Sequence, residues 1–235
     1  MQAIILAGGF GTRLRSVLAD VPKPMAPIHG KPFLAYLIDY LKTQGITDII
    51  LSVHYLKEQI FAYFKESYAG IHIRYAVEDQ PLGTGGAIVK SLELVDQTKP
   101  VFVLNGDTFL KIDYREMMAM HQRHAGIMTL ALRKIADCSR YGVVTTENNQ
   151  AIGFQEQGTN APGLINAGVY LMSPALLHGQ RPAQPFSFER DFLFPQIAVL
   201  KPQVYLADDY FIDIGIPQDY ERALQELDTI QPLVN

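Results

Sequence analysis

Cysteine is almost missing from this chain. Cys138 stands alone among 235 residues, so neither an intrachain disulfide nor a cysteine-based zinc site can form. That fits a reducing compartment, and the cytoplasm is the expected location. The six histidines are scattered without metal-ligand spacing. Clustered cations are missing as well. The net charge is −4, and no run of Lys or Arg offers the positive surface that nucleic acid or an anionic membrane needs. No apolar run approaches the ~18 residues of a membrane span. The N-terminus lacks a basic leader and its apolar run is only Ala3–Ala7, so a signal peptide is not expected. Internal repeats and low-complexity linkers are not found. An anionic ligand must therefore be held by a few placed cations, by backbone N–H groups or by a metal.

Apolar residues are plentiful, at 48%, enough to bury a substantial core. QAIILA (2–7) reads as a buried strand, and DIILSV (48–53), IHIRYAV (71–77) and PVFVLNGD (100–107) read as further strands, the last ending in an acid. Between them, 32–45, 57–68 and 83–94 carry helical periodicity, the second with Ile60, Phe61, Phe64 and Tyr68 as its apolar stripe. The later part is richer in strands, at 127–132, 141–146, 151–156, 164–172, 204–208 and 210–215, with helices around 188–199 and 217–229. The pattern predicts an α/β fold: a Rossmann-like, mostly parallel mixed sheet with helices on both faces. One domain is expected over 1–235, its strand-rich subregion lying in the second half.

GGFGTRL (8–14) follows the first strand, and a glycine-rich turn in that place suggests phosphate. A Walker A loop would need Lys-Ser or Lys-Thr, which is lacking. A dinucleotide fingerprint would need a third glycine where Leu14 stands and an acid where Val53 and His54 end the second strand. A plain chain reversal is the bland alternative. Arg13 lies in the same loop, and a guanidinium can fork two phosphate oxygens. Ten residues on, Pro22 and Pro24 brace Lys23, which predicts a stiff, extended segment. Asp107 in VLNGDT and Asp213 in YFIDIG end apolar strands, where acids act either as caps or as functional groups. Asp208 and Asp209 read as solvated loop acids.

A-G-G-x-G-T-R-L followed by P-K-P-M-x-P resembles the signature of the sugar-1-phosphate nucleotidyltransferases, over residues 1 to about 225. These enzymes join a sugar 1-phosphate to a nucleoside triphosphate and release pyrophosphate, on a GT-A-like nucleotidyltransferase fold. The resemblance implies a nucleotide-binding half (1–110) and a sugar-binding half (111–230). It implies Arg13 and Lys23 as catalytic cations, and Mg²⁺ on Asp107 and Asp213. It places the nucleotide against Leu6, Ala7, Gly8, Gly9, Gly11 and Thr12, and against Gly83, Thr84, Gly85 and Gly86 of PLGTGGA. A helix start with permissive glycines is the bland reading of that last segment. The sugar is expected at Asn105, at Gly142 of RYGVV, at Glu156 of FQEQ and at Asn166 of NAG. Two departures stand out. Gln157 replaces the Lys with which the family often holds the sugar phosphate, and LRSVLAD replaces the usual L-x-P-x-T.

Within the family, DDYFIDIGIPQDYERA most resembles the manno-heptose 1-phosphate guanylyltransferases of bacterial surface-polysaccharide synthesis. That implies GTP and a heptose 1-phosphate as substrates and GDP-heptose as product, and it leaves a homo-oligomer open. Nothing follows residue 230 that would supply a further domain, so a compact single-activity form is expected. A mannose-1-phosphate guanylyltransferase, or a hexose-1-phosphate transferase using dTTP or UTP, is the near alternative. A nucleotide-sugar sensor and a dinucleotide oxidoreductase are the distant ones.

Overall fold

Strands that lie inside a parallel sheet are covered on both sides, so they need apolar residues at successive positions rather than at alternate ones. β1 (Gln2–Leu6) meets that demand: Ala3 and Ile5 enter one core cluster and Ile4 enters the other. The computed structural model describes residues 1–9, 20–179 and 185–230, with side chains through 227. In chain order, β2 (Pro27–Ile28) and β3 (Lys31–Pro32) form a small ribbon before α1 (Phe33–Thr43). Then come β4 (Asp48–Val53), α2 (Lys57–Phe64), β5 (Ser67–Tyr68), β6 (Ile71–Val77) and α3 (Gly83–Leu92). β7 (Val101–Asn105), β8 (Thr108–Leu110) and α4 (Tyr114–Arg123) follow. The strand-rich part holds β9 (Met128–Ile135), β10 (Val143–Glu147), β11 (Gln150–Gln155) and β12 (Gly163–Met172). The chain ends with α5 (Phe194–Leu200), β13 (Gln203–Ala207), β14 (Phe211–Asp213) and α6 (Pro217–Ile230).

Among the described residues the main sheet has ten strands, in the order β10-β11-β13-β9-β12-β7-β1-β4-β6-β5. β7, β1, β4 and β6 run parallel, and β12 joins antiparallel to both β7 and β9. Residues of α1, α2, α4 and α6 bury against one face, and those of α3 and α5 against the other. The mixed sheet with helices on both faces is therefore as expected from the sequence.

Some elements differ from that expectation. The predicted helix 57–68 stops at Phe64, because Lys65 turns left-handed (φ 51°). Tyr68 continues the helical spacing only by coincidence: from β5 it folds back and sets its ring edge-on to Phe64, 5.0 Å between centroids. α4 is a helix that the sequence pattern does not announce. Its buried stripe is only Tyr114, Met117 and His121, and it depends on Asp113, whose side chain accepts from the N–H groups of Arg115 and Glu116, each at 2.9 Å. The predicted helix at 188–199 opens as a wide π-helical turn over Phe188–Leu193. Pro195 lacks the N–H that would close a normal turn there.

Candidate active site

β1 and β7 end side by side, with Leu6 opposite Asn105. The chain after each strand must leave across this edge, and Gly106 makes that possible. Its N–H donates to the Leu6 carbonyl at 2.9 Å, and a Cβ there would lie 2.7 Å from the same oxygen. Asp107 follows at once. The second acid arrives from a hundred residues away, because β14 pairs antiparallel with β8 and sets Asp213 opposite Thr108. Ile214 N–H donates to the Asp107 carbonyl at 3.0 Å and locks the pair in register.

Lys23 completes this centre. Its Nζ donates to Asp107 Oδ2 at 2.5 Å and to Asp213 Oδ1 at 3.4 Å, with the lysine side chain 10% exposed. The expected extended segment is instead a single 3₁₀ turn over Lys23–Met25. Pro22 enters it extended, its carbonyl accepts from Met25 N–H at 2.7 Å, and Pro24 and Met25 are buried. The lysine is still braced, but by a turn seated on the core. Two carboxylates share one ammonium here. Burial, and then the Asp107 charge, push the Asp213 carboxyl up, while Lys23 pulls it down.

Two clefts open on either side of this centre. The first, about 320 Å³, is lined by Leu6, Gly8, Gly9, Gly83 and Thr84, together with Ser52, Glu78, Asn105 and Asp107. Of the other residues assigned to the nucleotide, Ala7 is fully buried and its N–H donates to Ser52 O at 2.8 Å. Gly85 and Gly86 are buried in the first turn of α3. A Cβ on Gly85 would fall 2.1 Å from the Phe186 ring, so packing accounts for that glycine. Gly11, Thr12 and Arg13 lie outside the described residues.

The second cleft, about 280 Å³, is lined by Asn105, Gly142 and Asn166, and by Arg140, Tyr141, Gly168, Tyr170, Glu189 and Asp213. Asn105 lines both clefts. The NAG sequence sits where β12 slips its register against β9 between Asn166 and Tyr170. Gly168 takes φ +69° there, and a Cβ would come within 2.6 Å of Asn105 Nδ2. Gly142 carries the Phe154 ring, which a Cβ would meet at 2.1 Å. Glu156 is not brought in: it is exposed, past the end of β11, and does not line the cleft. Gln157 is exposed beside it.

The structure brings in two acids that no sequence motif singles out. Glu78, 5% exposed at the end of β6, accepts from Ser52 Oγ at 2.9 Å on one oxygen and from Leu82 N–H at 2.9 Å on the other. No ion pair reaches it among the described residues. A carboxylate has about four lone-pair sites, so it keeps accepting capacity toward the first cleft. A signal for it does exist, since an acid directly after an apolar strand is what marks Asp107. Glu189 joins the two clefts. Oε2 accepts from Thr84 Oγ1 at 2.8 Å, and Oε1 accepts from Tyr170 OH at 3.0 Å, which itself accepts from Asn166 Nδ2 at 2.7 Å. No local pattern could announce Glu189, because its partners come from α3 and β12.

A glycine-lined cleft, a cleft edged with hydrogen-bonding groups, and a lysine–dicarboxylate centre between them form the arrangement of a transferase for two bound substrates. A family model described as nucleotidyl transferase matches residues 2–229, and the chain belongs to that family. Its relatives narrow the class. It is 46% identical, over 97% of its length and 98% of the other's, to a D-glycero-alpha-D-manno-heptose 1-phosphate guanylyltransferase of Aneurinibacillus thermoaerophilus. The enzyme of the same name from Campylobacter jejuni is also 46% identical, over 95% of this chain and 99% of that one. The crystal structure of HddC from Yersinia pseudotuberculosis superimposes with a TM-score of 0.86 at 36% identity, covering 96% of this chain and 98% of that one. HddC has also been solved in complex with GMP-PN.

Proposed function

We propose that this chain transfers a guanylyl group from GTP to D-glycero-α-D-manno-heptose 1-phosphate, forming GDP-heptose and releasing pyrophosphate. The near full-length identity to two enzymes of that name carries the choice of substrates. In the reaction a phosphate oxygen of the sugar 1-phosphate attacks the α-phosphorus of GTP. The new P–O bond forms as the bond from the α-phosphorus to the bridging oxygen breaks, and that oxygen leaves with pyrophosphate. No protein nucleophile is needed. The product would serve as an activated donor for surface polysaccharide.

Each cleft has a part in this reading. GTP occupies the glycine-lined cleft, with Glu78 facing the base. Guanine presents two adjacent donors, N1–H and the exocyclic amino group, and a buried carboxylate is an acceptor-only partner for them. The sugar occupies the second cleft, against Asn105, Asn166 and the Gly142 turn. Lys23 supplies fixed positive charge between the two, where the transferring phosphorus must lie. Arg13 joins it on the strength of its motif. The donor set at Asp107 and Asp213 suits magnesium, a hard cation that takes one or two carboxylates and completes its shell with water and substrate phosphate. Bound there, it would neutralise phosphate charge. Among the described residues no group of three or more His, Cys, Asp or Glu offers another place for a metal.

Glu78→Gln tests the assignment of the base. The variant replaces an acceptor by a donor at one oxygen, so kcat/KM for GTP is expected to fall about 10- to 100-fold, the value of a good bidentate base contact. ATP and UTP should lose much less. Equal losses for all nucleotides would contradict the role given to Glu78.

A further inference from the structure

The second cleft must receive a phosphate dianion, yet its described lining carries two carboxylates, Glu189 and Asp213, and a single cation, Arg140. Lys23 is already committed to Asp107 and Asp213. Of the described lining, Arg140 is therefore the side chain that attracts an anion, in addition to any metal held by Asp107 and Asp213. The guanidinium is positioned for the task. One arm, Nη2, donates to Asp219 Oδ2 at 2.7 Å, and Asp219 is itself buried in the first turn of α6. The guanidinium carbon lies 5.5 Å from the centroid of the Tyr141 ring. The Arg140 side chain is 46% exposed, so its other N–H donors remain open to the cleft.

We propose that Arg140 binds the phosphate of the sugar 1-phosphate, with Asp219 as its positioning partner. The guanidinium fork holds the attacking phosphate beside Asp213, and the Asp219 contact fixes the direction from which it does so. Gln157, exposed outside the cleft, has no part in this grip. The inference rests on the transfer reading, but not on which sugar is used.

Steady-state kinetics on whichever sugar 1-phosphate the wild-type protein turns over separates the two. Wild-type turnover reports on the transfer reading, and the difference between wild type and variant reports on Arg140. Arg140→Gln is expected to raise KM for the sugar 1-phosphate about 10- to 100-fold, the range of a hydrogen bond to a charged group, while KM for GTP moves less than about threefold. Arg140→Lys keeps the charge and loses the fork, and a several-fold rise in the same KM alone is expected. Asp219→Asn weakens the ion pair but leaves the cation, so its effect should be the smaller one. An unchanged KM for the sugar 1-phosphate in the Arg140 variants would overturn the proposal. So would equal rises in both KM values, or an Asp219→Asn effect as large as that of Arg140→Gln, since either would make the arginine a strut between the loop and α6.

Discussion

Lys23 owes its position to residues that have no chemistry of their own. Pro22 sets the entry to the turn, and buried Pro24 and Met25 anchor it to the core. A long, flexible side chain thereby starts from a fixed point and meets two carboxylates. Lys23→Ala removes the fixed charge while leaving this scaffold intact. Turnover should fall about 10²- to 10³-fold, the usual loss when one charge-stabilising donor is deleted, with the circular dichroism spectrum unchanged. A rate near that of the wild type would show that Lys23 only balances the two acids. At this scale the sequence is a good guide to Lys23, Asp107 and Asp213, because each stands in a short distinctive stretch. It is a poor guide to Arg140 and Glu189, and for Glu78 it offers only an acid placed directly after a strand. Their meaning comes from what faces them across a cleft, and for Glu189 those partners lie on α3 and β12.

At the scale of elements, legibility follows burial. Strands β1, β4 and β7 are covered on both faces, and a short unbroken apolar run bounded by turn residues is what such strands require, whereas β6 leaves His72 exposed on its second face. α4 shows the opposite case, a helix held by three buried residues and a cap. One of the three is His121, whose Nδ1 meets Thr129 Oγ1 at 2.9 Å on β9. Burial holds its protonation below the ordinary histidine value. The unfolded chain therefore takes up a proton that the folded chain refuses. The stability linked to this group is complete above about pH 6.5 and declines as the pH falls below it. Urea midpoints measured from pH 7.5 down to pH 5 should fall more steeply for the wild type than for His121→Gln. Parallel curves would mean that His121 accepts its proton without disturbing the helix. β8 and β14 are a further lesson. Each has only three residues, and neither matters until the other arrives to set Asp213 beside Asp107.

For the molecule as a whole, the constraint is charge. A chain of net charge −4 has to hold two phosphate-bearing substrates together. On the transfer reading it does so with few, well-placed cations: Lys23 at the dicarboxylate centre and Arg140 in the second cleft, with Glu189 linking the two clefts through Thr84 and Tyr170. No helix among the described residues is long and apolar enough to cross a membrane. On the transfer reading, the cleft that follows β1 is a place where phosphate is attacked as well as held. The most direct test is pyrophosphate release with Mg²⁺ over a grid of nucleotides and sugars. GTP, ATP, UTP, CTP and dTTP form one axis, and the 1-phosphates of manno-heptose, mannose, glucose and N-acetylhexosamine form the other. Release with GTP and the manno-heptose 1-phosphate, well above every other pair, is the expected result. Release with a different pair would contradict the substrate assignment, and a blank grid from a protein that still binds GTP would contradict the transfer reaction itself.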